Sequence, residues 1–143
     1  MKNLSVLILI IVVCFLSGCT LDKPPIKMDT SIVISYKNQK GDDLLNSSTD
    51  NYFSPDNIKM FWMMEGKSSS FFGFQVYKPS DSNIYYLGFN VSNGSDTLLL
   101  QLNSNITDTV TSVTDNFITK KVWYNGALVW KSGDGLRKFT ILK

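Results

Sequence analysis

From residue 30 onward, apolar and polar side chains alternate in steps of two, and turn residues break the alternation about every eight to twelve positions. This pattern limits the chain to strands, because a helix must place apolar residues three and four apart to bury one face. No 3.6-residue apolar stripe of useful length interrupts it. The spacing predicts an all-β domain over residues 30–143, a single β-sandwich of about eight or nine mostly antiparallel strands.

The individual strands follow from the same rule. Ile32, Ile34 and Tyr36 alternate with Ser31, Ser35 and Lys37, which predicts a first strand with one buried face. A long polar stretch, residues 41–57, is broken by Pro55. Residues 58–65 are apolar on both faces and predict a central strand. Strands over residues 71–77 and 84–91 are separated by the turn Pro79-Ser80-Asp81-Ser82-Asn83. In the second of these, Tyr85, Leu87, Phe89 and Val91 share a face, which leaves Tyr86 on the other as the most exposed aromatic. Leu98, Leu100 and Leu102 point one way from residues 97–103, whereas residues 109–114 are β-branched but poor in core residues and predict an edge strand. Asn125-Gly126 suits a type I′ turn, in which both central residues take positive φ. A regular hairpin around it pairs Trp123 with Leu128 and Lys121 with Trp130, so Trp123 and Trp130 are expected on one face. Residues 136–142, with Phe139 and Ile141 on one face, predict the last strand.

Ahead of this domain, an apolar run over residues 4–16 follows Lys2 and ends in Leu16-Ser17-Gly18-Cys19. Its length fits a signal-peptide core of ~7 to 15 residues and falls short of the ~20 needed to span a bilayer. Leu16-Ser17-Gly18-Cys19 resembles the lipobox of bacterial lipoproteins. The resemblance implies that residues 1–18 are a cleaved signal and that Cys19 carries a diacylglycerol and an acylated amine. Residues 19–29, with Pro24-Pro25, then read as a lipidated tether between membrane and fold. Two or three chains on Cys19 would hold the protein firmly, since one chain alone binds only marginally. Thr20 in place of an aspartate after the cysteine favours the outer membrane in a two-membrane envelope. Which face of that membrane carries the domain is not written in these residues. With the lipobox, Gly41-Asp42-Asp43-Leu44-Leu45 and Lys121-Val122-Trp123-Tyr124-Asn125-Gly126 resemble small lipoproteins of Bacteroidota that have no established activity. That resemblance implies a β-rich envelope protein and transfers no catalytic residue.

The residue inventory narrows the chemistry. The chain has no histidine, which removes Ser-His-Asp and Cys-His arrangements and every His-based metal site. Its two cysteines, Cys14 and Cys19, fall in the signal and at the lipid site, so the folded domain is expected to carry no thiol, disulfide or Cys-ligated zinc. Fourteen Lys plus Arg against twelve Asp plus Glu leaves no basic excess for nucleic acid. Lys120-Lys121 is an adjacent basic pair and reads as a solvated strand end.

Three sets of residues invite a functional reading. Asp42, Asp43, Asp50 and Asp56 offer oxygen ligands of the kind calcium accepts, but their spacing matches no EF-hand and they read more simply as a solvated loop. A pair among the eleven aspartates could be placed for glycoside hydrolysis, yet a domain this size brings some pair to that distance by chance. Among Trp62, Tyr85, Tyr86, Trp123 and Trp130, the residues Trp123, Trp130 and Tyr86 are candidates for stacking on sugar rings, against the competing reading that large aromatics fill the core. Asp96-Thr97-Leu98 and Asp108-Thr109-Val110 resemble the O-glycosylation acceptor of Bacteroidota envelope proteins, which marks Thr97 and Thr109. The expectation is a lipid-anchored, non-enzymatic envelope protein with an accessory, structural or interaction role. The alternative is a surface carbohydrate-binding module. Neither metal nor cofactor is expected, and the expected partners are the membrane, glycans or envelope proteins rather than nucleic acid.

Overall fold

The computed structural model describes residues 28–143. The expected signal, Cys19 and most of the tether therefore lie outside the described residues. Ten strands follow in order: β1 (Ser31–Lys37), β2 (Lys59–Met64), β3 (Lys67–Phe71), β4 (Phe74–Tyr77), β5 (Tyr86–Asn90), β6 (Gly94–Gln101), β7 (Thr107–Asp115), β8 (Ile118–Tyr124), β9 (Ala127–Lys131) and β10 (Lys138–Leu142). Among the described residues the only helical element is a single 3-10 turn, Pro55–Asn57. The strands form a four-stranded sheet, β10-β1-β5-β4, packed on a six-stranded sheet, β3-β2-β6-β7-β8-β9. Every strand pair is antiparallel except β1 with β10. The fold is the all-β sandwich that the alternation predicts.

The core lies between the sheets. Ile32, Ile34 and Tyr36 from β1 and Leu87 and Phe89 from β5 meet Leu98, Leu100, Val110 and Val122 from the larger sheet. Alternation explains the choice, because each of these shares its strand face with its i+2 neighbour. The polar stretch after β1 closes one end of the core. It buries Leu44, Leu45 and Phe53, and Asp43 holds it in place by accepting the Leu45 amide at 2.9 Å and the Tyr85 amide at 2.7 Å.

Four strand-level expectations change in the structure. The expected strand over residues 71–77 is two strands in different sheets, joined by Phe72-Gly73. The Phe71 ring folds back so closely that a Cβ on Gly73 would stand 2.8 Å from its Cζ, so any larger residue at this corner would have to push the ring aside. This split supplies the tenth strand.

The expected edge strand, residues 109–114, is instead β7, interior to the larger sheet between β6 and β8. Its inward face carries Asp108, Val110, Ser112 and Thr114, all buried. Most of this polarity is consumed inside the fold: Thr114 hydrogen-bonds Thr119 at 3.2 Å, and Asp108 is enclosed by partners described below. Polarity in that strand signalled an internal network rather than solvent.

The β8–β9 hairpin forms at Asn125-Gly126 with φ of 48° and 80°. Tyr124 faces Ala127 and Trp123 faces Leu128, as a two-residue turn requires, but a bulge at Val129 then pairs Val122 with Trp130. One extra residue reverses the side-chain sense of everything after it. Trp130 therefore turns into the core beside Val122, while Trp123 stays half-exposed on the outer face. The two tryptophans lie on opposite faces, contrary to the regular register.

Tyr86 is the fourth correction. It does lie on the face opposite Leu87, but it is buried, because Lys138 from the start of β10 stretches over its ring with Nζ 3.9 Å from the centroid. Burial by a lysine stem is not visible in strand periodicity.

Candidate functional site

Two constellations gather chemically active side chains. The first sits in the core. Asp108 on β7 is buried and accepts hydrogen bonds from the Tyr124 hydroxyl at 2.6 Å, Asn125 Nδ2 at 2.7 Å and Lys143 Nζ at 2.7 Å. Lys143 also forms an ion pair with its second oxygen at 2.6 Å. The Tyr124 hydroxyl is hydrogen-bonded to that of Tyr36 at 3.2 Å, which extends the chain across both sheets. Burial works to raise the Asp108 carboxyl, but the donors Lys143, Tyr124 and Asn125 together outweigh it and hold the carboxyl below the usual carboxylate range. Burial, above all, pushes both tyrosines far above the usual phenol range, so both keep their protons. Asp108 is an ionised carboxylate with its oxygens occupied, arranged to join strands rather than to exchange protons.

The second constellation lines a groove of about 440 Å³ where β1 begins. Tyr77, Tyr86, Trp130, Asp29, Arg137 and Lys138 contribute to it. Arg137 is nine-tenths buried. Its guanidinium stacks 4.6 Å above the Trp130 ring, donates to the Ser31 carbonyl and pairs with Asp29 at 2.9 Å. The Trp130 indole N–H donates to the Gly135 carbonyl at 3.2 Å. The Lys138 ammonium, aided by the Ser82 hydroxyl, lowers the Tyr86 phenol from its ordinary value. Two stacking candidates, Tyr86 and Trp130, thus meet in one groove. Each, however, has a cation over its ring, and a sugar could stack there only by displacing Lys138 or breaking the Arg137 clamp.

The remaining sequence candidates fall elsewhere. Trp123 stands on the outer face of the larger sheet, in a cross-strand row with Thr97, Thr111 and Leu128. Thr97 and Thr109 are mid-strand on that same face, half-buried, with Thr97 opposite Thr111 and Thr109 opposite Leu99. Asp42 accepts the Asn38 amide group at 2.8 Å, and Asp43 is committed to the loop and to Tyr85. Asp42 and Asp50 flank one shallow recess, and Asp56 lies in the 3-10 turn. Among the described residues no three carboxylates converge as a metal cluster would require.

The Asp108 network was not anticipated. The signal for it was present, since Asp108, Val110, Ser112 and Thr114 share a period-two face and Val110 must point inward. Its partners Tyr36 and Lys143 were out of reach, being distant in sequence. No family model, curated protein or solved structure matches the chain.

Proposed function

We propose that this protein is a lipid-anchored domain of the bacterial cell envelope, held through Cys19, with a non-enzymatic accessory or interaction role. The observation that supports the absence of catalysis best is the closure of the Asp108 network. The Asp108 carboxyl, held below the usual carboxylate range, faces the core, and its hydrogen-bonding capacity is spent on Tyr124, Asn125 and Lys143. In the groove that opens beside β1, the Arg137 guanidinium is likewise tied to Ser31 and Asp29, and the Lys138 ammonium lies over the Tyr86 ring. Anchoring rests on the lipobox resemblance, and Thr20 favours the outer membrane. Cys19→Ala is expected to abolish lipid attachment and to move the protein from the membrane to the soluble fraction in cell fractionation. A Cys19→Ala protein that stays with the membrane overturns the reading.

A second reading, glycan capture, now rests on Trp123 alone, because its ring is half-exposed on the outer sheet face between Thr111 and Leu128. Saturable quenching of tryptophan fluorescence by one member of a polysaccharide panel, lost in Trp123→Ala, is the expected result under that reading. A panel without binding leaves the interaction role.

A further inference from the structure

Three exposed apolar side chains surround the point at which the chain enters the sandwich. Met28 is 72% exposed, Leu136 84% and Phe117 39%. They belong to three segments far apart in sequence, and Asp29 gathers them. Its amide donates to the Phe117 carbonyl at 2.8 Å, its carbonyl accepts the Thr119 amide at 3.0 Å, and its carboxylate pairs with Arg137, the neighbour of Leu136. Phe117 is also costly where it stands. With Asn116 it makes the two-residue turn between β7 and β8, at φ of 49° and 59°, a backbone that glycine occupies in the Asn125-Gly126 turn. This aromatic, held in a left-handed turn, belongs to neither the core nor the residues packed against it.

We propose that these three side chains form a membrane-docking tip that enters the headgroup region of the bilayer carrying the lipid anchor. The inference rests on the Cys19 anchor. The ten residues from Cys19 to Asp29 span at most about 36 Å even when fully extended, so a lipid anchor at Cys19 keeps this end of the sandwich within that distance of the surface. The apolar groups project from the entry segment, a turn and a loop, which suits a fluid surface better than a partner's pocket. Docking here would orient the domain so that the loop carrying Tyr52, packed at the far end of β1, faces away from the membrane.

The test uses the lipidated protein, reconstituted into vesicles of phosphatidylethanolamine and phosphatidylglycerol. Met28→Cys, Phe117→Cys, Leu136→Cys and Tyr52→Cys each introduce one labelling site for an environment-sensitive fluorophore. Met28 precedes β1 and packs in no core, so its variant tests the tip without disturbing the fold. Emission at positions 28, 117 and 136 is expected to shift to the blue, rise several-fold and be quenched by nitroxide-bearing lipid, with no change at position 52. Vesicle flotation reads the anchor separately. Protein that floats while all four probes remain aqueous overturns the docking tip alone. Protein that does not float overturns the anchor, and the tip with it.

Discussion

Replacing Asp108 with alanine is expected to destabilise the domain by about 3 kcal/mol in urea unfolding, because it strands a partly buried ammonium and removes the acceptor shared by the buried Tyr124 hydroxyl and the Asn125 amide. The side chain of Asp108 is 4% exposed and that of Lys143 19%, so the loss belongs at the lower end of the range for broken buried pairs. Asp108→Asn, which keeps the shape and one acceptor, is expected to cost less. The two variants also separate charge from packing through pH. The folded carboxyl titrates below its unfolded value of 3.8, so the unfolded chain binds more protons in that window and stability rises with pH there. The contribution is complete above about pH 4 and disappears as pH falls through the folded value. Wild-type protein is therefore expected to weaken more steeply in acid than Asp108→Asn, and equal acid slopes would show that the network carries no net electrostatic stabilisation.

Trp130→Ala should cost about 3 kcal/mol or more, whereas Trp123→Ala should cost about 1 kcal/mol. Trp130 is buried in the core, and its removal leaves a cavity, frees the Gly135 carbonyl and takes away the surface on which the Arg137 guanidinium rests. Arg137 in turn pins Ser31 and Asp29 at the start of β1, so the loss should loosen the entry of the chain as well. Trp123 has only outer-face neighbours such as Thr111 and Leu128. The contrast decides how ligand binding can be tested, since a lost signal in a Trp130 variant would report a weakened fold and only Trp123 can be removed cleanly. Equal losses in the two variants would mean that the bulge at Val129 does not turn Trp130 inward in solution.

Particular residues show what could be read before the fold was known. Ile32, Ile34, Tyr36, Leu98, Leu100 and Leu102 were legible as core because period-two geometry assigns a face from spacing alone. The Asn125-Gly126 turn was legible because its backbone demands those residue types. The matching turn at Asn116-Phe117 was hidden, because a phenylalanine at positive φ violates the preference that makes such turns recognisable. Phe71 and Phe74 read as one strand because a corner made by a ring over Gly73 leaves no mark in hydropathy.

The candidate site divided in the same way. Which residue types could act was a matter of inventory: without histidine or a domain thiol, only carboxylates, aromatics and a few cations were left to consider. Which of them meet was decided elsewhere. The Asp108 network joins residues as far apart as Tyr36 and Tyr124, 88 positions, and the Arg137 clamp joins Arg137 to Ser31 across 106.

Taken by itself, the order of residues determined the strand periodicity, the all-β class, the inward positions of β1, β5 and β6, and the signature on which the anchor at Cys19 rests. These are local properties, set by φ/ψ preference and by the two-residue repeat of a strand. Tertiary structure alone decided that β7 is interior, that one extra residue sends Trp130 inward and leaves Trp123 outside, that Lys138 covers Tyr86, and that Met28, Phe117 and Leu136 converge on Asp29. Each of those outcomes depends on long-range pairing and on a register that shifts by a single residue, and neither leaves a periodic trace along the chain.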